Sequence, residues 1–586
     1  MSYRYIALVN TGRSWSNGHA FALDAAASQA GLSRRLMSDS ITLFASAHTP
    51  TLRVPDGGII VGHLFSANST DPITEAHLQG IAEHSCIRRY LTEHCWGEYL
   101  LVMPGPRQPS EVIAMRDPSG GVPCVYSIQD GCGFLTSDIS LARQLHGYQS
   151  RVDWEFVAHF LAYPHMKTRR TGLTGVRELL PGTSLLLQTG TLEIVHEWSP
   201  WDFVATAQRC DNEAEAIADV RHAVESVVKA WSRLDTSILL ELSGGLDSSI
   251  VAACLRDVPS RVECCTLVPP IPGADERRYA SVVANDLNRD LHIEALPFER
   301  ACFDAPVQPG AVTPRVTALQ FAIDDVMHAA ADRLGVTSYF SGGGGDTIFC
   351  SLGNASPAAD AFRRRGLSCA LTVVRELSEL HQCTAWRAGR LAVKKLLAAP
   401  KPARRPDSMF TNPRLPTITR EDHPWYSAPE DALAGDRERI FDLVNTQSFR
   451  DSAPRGTVRP MRLPLLSQPV VEACLRVPSW MWVAGGRNRS IARAAFADVL
   501  PSQILNRRSK GTFMSYSGTA YRRHIGKIRE HLLDGQLASR NLLDMDDLRR
   551  FLDSEQPVTH SSLMRIFDLC MIENWLRHQC APSHSA

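Results

Sequence analysis

The chain has 586 residues, 62 Lys and Arg against 62 Asp and Glu, and 44% hydrophobic residues; at roughly 150 residues per domain this predicts two to four domains and excludes a tail or a peptide-sized module. A formal net charge of zero disfavours sequence-independent nucleic-acid binding, which draws on a basic excess. No run approaches the roughly 18 apolar residues of a spanning helix, and the start MSYRYIALVN lacks the basic-then-apolar pattern of a secretory signal, so a cytoplasmic protein with neither a nucleic-acid nor a membrane partner is expected.

The first 200 or so residues read as short strands between turn signals: 6–10, 57–65, 97–103, 111–117 and 183–195. The pattern breaks at His196 to Phe203, and beyond Asp211 the residues Ile217, Val220, Val224, Val227, Val228 and Trp231 fall on one helical face. A domain boundary near 205 follows, with a β-rich domain over 1–205 and a second domain over 206–586.

From Thr236 strand and helix alternate: strands over 236–243, 262–268, 292–298 and, last, 336–341, with helices over 248–257, 275–288 and 317–335. This is the rhythm of a parallel sheet wrapped by helices, whose ligands sit beyond the carboxyl ends of the strands. Prolines 400, 402, 406, 413, 416 and 424 predict a mobile insertion over about 398–424. Residues 363 to 405 carry eleven Lys and Arg against Glu376 and Glu379, either as a solvated helix face or as a surface steering an anionic substrate or peptide. The odd total of fifteen cysteines, with no C-x-x-C spacing, indicates reduced thiols, not a disulfide framework or a zinc cluster.

The chemistry concentrates in Leu242-Ser243-Gly244-Gly245-Leu246-Asp247-Ser248-Ser249, between an apolar strand and a helix. Two glycines let consecutive N–H groups turn towards one point, and the helix adds its N-terminal dipole, so an anion is held by donors already in place. Asp247 facing a phosphate alone would be repelled; with Mg²⁺ between them the pair makes sense. The motif is neither a G-K-[ST] loop nor G-x-G-x-x-G, and it points to ATP with magnesium. A second run, Ser341-Gly342-Gly343-Gly344-Gly345-Asp346, ends a strand of the same sheet, where Asp346 can offer a second carboxylate.

The first motif resembles the pyrophosphate loop of the ATP-pyrophosphatases, and the two together resemble the asparagine synthetase family over nearly the whole chain. Further matches are Arg116 to Pro123, Leu180-Pro181-Gly182, Asp275-Glu276 with Tyr279-Ala280, and Arg462 to Leu466, with Ser467 where Asp is usual. The resemblance implies a degenerate Ntn-hydrolase-like, glutaminase-like sandwich followed by a parallel-sheet α/β ATP-pyrophosphatase domain. It assigns nucleotide contacts to Leu242, Ser243, Gly244, Gly245, Asp247, Ser248, Ser249, Leu267, Ser341, Gly342 and Asp346, Mg²⁺ to Asp247 and Asp346, and a catalytic cation to Lys510 with Arg508 as rival.

Departures from the family narrow the reading. Position 2 is Ser2, where a working glutaminase needs a nucleophilic cysteine, and Cys86 is the first cysteine. Gly343 stands where asparagine-forming members carry Glu and β-lactam-forming members carry Tyr with a downstream Glu. Glu376 and Glu379 lie roughly at that downstream place but read as solvated helix carboxylates, and no general base is visible. The all-glycine run, the degenerate first domain and the basic insertion resemble the lasso-peptide macrolactam synthetases. That resemblance implies a linear precursor peptide as substrate, and a leader peptidase and a leader-recognition protein as partners. The alternative is an asparagine or β-lactam synthetase acting on a small amino acid.

Overall fold

The computed structural model describes residues 3–12, 17–79, 87–105, 110–188, 191–271, 273–315, 317–351, 353–399, 405–415, 423–450, 454–508, 514–554 and 559–581. The N-terminal part is built from two six-stranded antiparallel sheets. One runs, in spatial order, Arg177–Glu178, Val125–Gln129, Cys132–Thr136, Tyr5–Asn10, Ile41–Ser46 and Leu32–Met37; the other Thr191–His196, Thr183–Gln188, Val112–Arg116, Cys95–Pro104, Gly58–Ser66 and Thr51–Val54.

Side chains alternate across a strand, and here both faces are apolar. Tyr5, Ala7 and Val9 pack inward with Ile59, Val61, Leu100 and Val102 of the facing sheet. Ile6 and Leu8 point the other way, onto Leu23 and Ala27 of a covering helix, while Ile60 and Leu64 meet Leu78 and Leu91 on the opposite outer face. The result is a helix-sheet-sheet-helix sandwich.

The C-terminal part centres on a five-stranded parallel sheet ordered Leu291–Ala295, Arg261–Val268, Ser237–Glu241, Ser338–Ser341 and Met461–Arg462. Its central strand is apolar on both sides: Ile238 and Leu240 enter the core formed with the helix Glu213–Ser232, and Leu239 enters a second core with Met327 and Tyr339. The mixed α/β class read from the sequence is what the chain adopts. One detail is corrected: Ser338–Ser341 is not the last strand. Met461–Arg462 pairs beyond it, a two-residue strand too short for any periodicity to reveal.

Strand order reverses at Ser237–Glu241, whose neighbours are the next strand in sequence on one side and Ser338–Ser341 on the other. Such a switch point splays the loops that leave it and opens a crevice at the carboxyl end of the sheet. Glu241 lies in register with Ser341, so both glycine motifs leave the sheet from adjoining positions at that crevice.

Residues 400–404 and 416–422 of the proline-rich insertion lie outside the described residues. Its described part is anchored: Phe410 is buried against Phe551, and Thr411 bridges to Leu543. All described cysteines are free thiols. Among the described residues no helix is long and apolar enough to cross a membrane.

Candidate active site

The first glycine motif folds as a tight strand-to-helix turn. Gly244 has φ +66°, and a Cβ there would lie 2.5 Å from backbone atoms of Tyr279 and Ala280, so only glycine fits. Gly245 is the N-cap of the helix Leu246–Cys254 and offers no side-chain cap, so no cap side chain competes for the positive end of the helix dipole. The serines shape the loop from within: Ser243 Oγ lies 3.1 Å from Ser248 Oγ and accepts from Gly245 N–H (3.3 Å), and Ser249 Oγ donates to Gly245 O (2.7 Å). Leu242 is buried and its N–H donates to Cys265 O, whereas Leu267 is half-buried near the end of the adjacent strand.

The second motif packs directly on the first. A Cβ on Gly342 would meet Ser248 N at 2.5 Å, and one on Gly345 would meet Asp247 Cγ at 2.5 Å. Gly343 N–H donates to Ser341 Oγ. The glycines are therefore a packing requirement, since a methyl group at either position would push the two loops apart.

Asp247 is buried and Asp346 exposed, and the two carboxylates converge on Arg489. Its Nη1 lies 2.9 Å from both carboxylate oxygens of Asp247 and 2.9 Å from Asp346 Oδ1. Arg489 follows a two-stranded hairpin, Val483–Ala484 with Arg487–Asn488, turned by Gly485 and Gly486, both at left-handed φ; Arg489 itself has φ +56°. Two consecutive left-handed glycines make the tight turn that matches strand twist, and the third left-handed residue aims the guanidinium at the glycine loops. Glu376 accepts from Gly486 N–H (2.7 Å) and is half-buried. The expectation of a solvated carboxylate is thus corrected for Glu376, because its helix packs on this hairpin; Glu379 remains exposed.

Cations crowd the rim. Burial and the nearby Arg489 and Arg487 guanidiniums lower the Arg493 pKa to about 10, leaving it charged at neutral pH. Arg507 donates to Gly244 O (2.9 Å), pairs with Glu276 and lies over the Tyr279 ring. Arg508 is exposed, and Lys510 lies outside the described residues. Arg489 and Arg507 are the residues that reading the sequence missed. Arg507 sits inside the Asn506-Arg507-Arg508 stretch, but Arg489, some 240 positions from Asp247, gives no local signal.

The two carboxylates suit Mg²⁺ with phosphates. Asp247 and Asp346 already share one positive charge, and no group of three or more His, Cys, Asp or Glu able to hold a metal occurs among the described residues. Mg²⁺ characteristically uses one or two protein carboxylates and takes its remaining oxygens from phosphates and water. Beside the second loop, Thr347 Oγ1 lies 2.9 Å from Thr446 Oγ1. The neighbouring Asn445, with Ser448, Gln320 and Lys167, lines a cavity of about 300 Å³.

Ser2 also lies outside the described residues. Next to it Tyr3 is buried and donates to Glu98 (2.9 Å), which also accepts from Arg450 (2.5 Å) and Arg462 (3.3 Å); Arg462 reaches Asp235 and lies 4.5 Å over the Trp231 ring. This network joins the sandwich to the parallel-sheet part.

Residues 219–577 match the asparagine synthase family model. An amidase, chyE, of Penicillium rubens is 29% identical over 302 residues, 47% of this chain and 42% of that protein. The glutamine-hydrolysing asparagine synthetase 3 of Bacillus subtilis is 28% identical over 144 residues (24% and 23%). The carboxyethyl-arginine beta-lactam-synthase of Streptomyces clavuligerus is 33% identical over 135 residues (22% and 25%). The chain thus spans less than half the length of each of these curated relatives. Among solved structures, the glutamine phosphoribosylpyrophosphate amidotransferase of B. subtilis matches with a TM-score of 0.22 at 10% identity, over 51% of this chain and 83% of that one.

Proposed function

The chain belongs to the asparagine synthase family, and from that premise we propose that it is an ATP-dependent ligase that closes a macrolactam ring in a linear peptide. A carboxylate and an amine do not condense near neutral pH because hydroxide leaves poorly, so the acid needs activation. In the proposed reaction a side-chain carboxylate oxygen of an Asp or Glu in the peptide attacks the α-phosphorus of ATP, and the bond to pyrophosphate breaks. The N-terminal amine of the peptide then attacks the acyl carbon, AMP leaves with the former carboxylate oxygen, and the amine gives up a proton. The ring is lighter than the linear peptide by one water.

Ser243, Gly244, Gly245, Ser248 and Ser249 form the loop that cradles the departing pyrophosphate, with backbone N–H groups as donors and the serine hydroxyls holding the turn in shape. Asp247 and Asp346 hold Mg²⁺, which when bound neutralises phosphate charge. Arg489 and Arg507 add fixed positive charge at the rim, and Lys510 or Arg508 stabilises the charge that develops as AMP departs. Ring closure demands that the peptide be held folded, with amine and acyl carbon in contact; such positioning is worth about 7 to 11 kcal/mol in favourable cases. A leader peptidase with a leader-recognition protein acts beforehand to expose the amine.

The observation that carries the peptide reading is Gly343, which brings no side chain to the reacting amine where the small-substrate branches of the family carry Glu or Tyr. A second reading, amide formation on a small amino acid, is favoured by the names of the B. subtilis and S. clavuligerus relatives. Pyrophosphate release from ATP, measured with a linear lasso-type precursor peptide, with aspartate, with a β-amino acid and with none, separates the two. Release with the peptide and a product lighter by one water supports the first; release with a small amino acid alone supports the second. In the same assay Lys510→Ala abolishes product formation while the protein stays folded; near-normal product removes Lys510 from the mechanism.

A further inference from the structure

The strongest charge asymmetry of the chain lies on a surface that the proposed chemistry does not use. The helix Ala385–Leu397 is N-capped by Thr384, whose hydroxyl accepts from Arg387 N–H. It turns two small residues, Ala388 and Ala392, into a shared core with Val373, Val374 and Leu377 of the helix Ser356–Leu380. Its outward face is open along its whole length. Trp386 is 83% exposed and Leu397 79%, with Val393 also exposed between them. At 100° per residue these three positions fall within about 20° of one line, a stripe some 16 Å long.

Beside that stripe run Arg387, Arg390 and Lys394, all exposed and none in an ion pair among the described residues. Lys395, one position further round, does pair with Glu438. Exposed Leu391 continues the apolar surface beyond the cations. A large exposed tryptophan and leucine are costly to leave in water without a purpose, and three unpaired cations among them call for an anionic counterpart.

We propose that the outward face of the helix Ala385–Leu397 docks the protein peripherally on an anionic lipid bilayer. The apolar stripe enters the headgroup boundary, and Arg387, Arg390 and Lys394 meet lipid phosphates, the arrangement characteristic of amphipathic helices that lie in the membrane plane. An acidic protein partner fits less well: a groove encloses much of a helix's circumference, whereas this helix is packed along Ala388 and Ala392 and offers one outward face, which a flat bilayer surface matches. Contact of this kind needs no spanning helix, and it is an alternative to the expectation of no membrane partner.

Sedimentation of the full chain with phosphatidylcholine vesicles, with and without phosphatidylglycerol, tests the proposal. Binding is expected only to the anionic vesicles, weakening as salt is raised, with a loss of at least about fivefold per cation reversed in Arg387→Glu, Arg390→Glu and Lys394→Glu. The double variant Trp386→Ser, Leu397→Ser also weakens it, and nucleotide turnover by each variant reports that the fold is intact. No binding to anionic vesicles at low salt overturns the proposal. So does binding that the three reversals leave unchanged, or retention of a polyglutamate peptide in place of vesicles.

Discussion

Asp247 and Asp346, nearly a hundred residues apart, each lie 2.9 Å from the same guanidinium nitrogen of Arg489. That shared cation shows how closely the two glycine loops approach, and it gives the site a reserve of positive charge beside the place proposed for the polyphosphate. Replacing either carboxylate by its amide keeps the size and removes the charge. Asp247→Asn and Asp346→Asn are each expected to lower nucleotide turnover on the order of a hundredfold or more, with circular dichroism unchanged. Turnover within a few-fold of the parent in both variants would take magnesium away from these residues.

Glu376 separates a positioning role from a proton-transfer role. It accepts from Gly486 N–H in the hairpin that leads to Arg489, a contact that glutamine can also make. Glu376→Gln is expected to keep kcat within about twofold of the parent and Glu376→Ala to lower it about tenfold, since a misplaced charged group forfeits much of its effect. A Glu376→Gln enzyme with severely reduced turnover and a lost acidic limb in its pH profile would instead mark Glu376 as the general base.

How much of this could be read from the sequence depends on how local each feature is. The serine-glycine turn announces itself within eight residues, because backbone donors, glycine freedom and a following helix all lie in one stretch. The sheet was legible for a similar reason, as four of its strands are apolar runs set between helical patterns. Arg489 was not legible: its place depends on a glycine-turned hairpin and on Glu376 from a distant helix, a relationship that exists only after packing. The strand Met461–Arg462 escaped because two residues carry no period. The Tyr3, Glu98 and Arg462 network escaped because its members come from three well-separated segments.

The buried network joining the two parts of the molecule sets a stability test. Arg462 is 3% exposed and faces Glu98 and Asp235. Arg462→Met leaves both carboxylates with less compensation in a dry environment, and a loss of about 3 to 5 kcal/mol in urea unfolding is expected. Adding Asp235→Asn and Glu98→Gln should recover part of that loss; a single variant as stable as the parent would show that the network contributes nothing net.

Asp360 gives a pH-dependent test with a defined sign. Burial, with Asp436 nearby, raises its pKa from the ordinary 3.8 to about 7, although Ser479 and Gly435 donate to it. The folded value lies above the unfolded one, so the folded state holds a proton between the two values that the unfolded state has lost. The contribution of this group is therefore complete below about pH 4 and disappears as pH rises through 7. Asp360→Asn, which cannot ionise, should gain stability relative to the parent as pH is raised from 4 to 7, by up to about 1.4 kcal/mol per pH unit, and level off above that window. A stability difference that stays constant over the window would show that Asp360 does not titrate there.

The measurement that bears most directly on the proposed chemistry is exchange of labelled pyrophosphate into ATP, with magnesium and a carboxylate-bearing linear peptide. An adenylating enzyme returns label to ATP only when peptide, magnesium, Asp247 and Asp346 are all present. Formation of ADP and orthophosphate in place of exchange, or indifference to ATP with every class of carboxylate tried, would contradict the assignment of the two glycine loops to a nucleotide cut between its α- and β-phosphates.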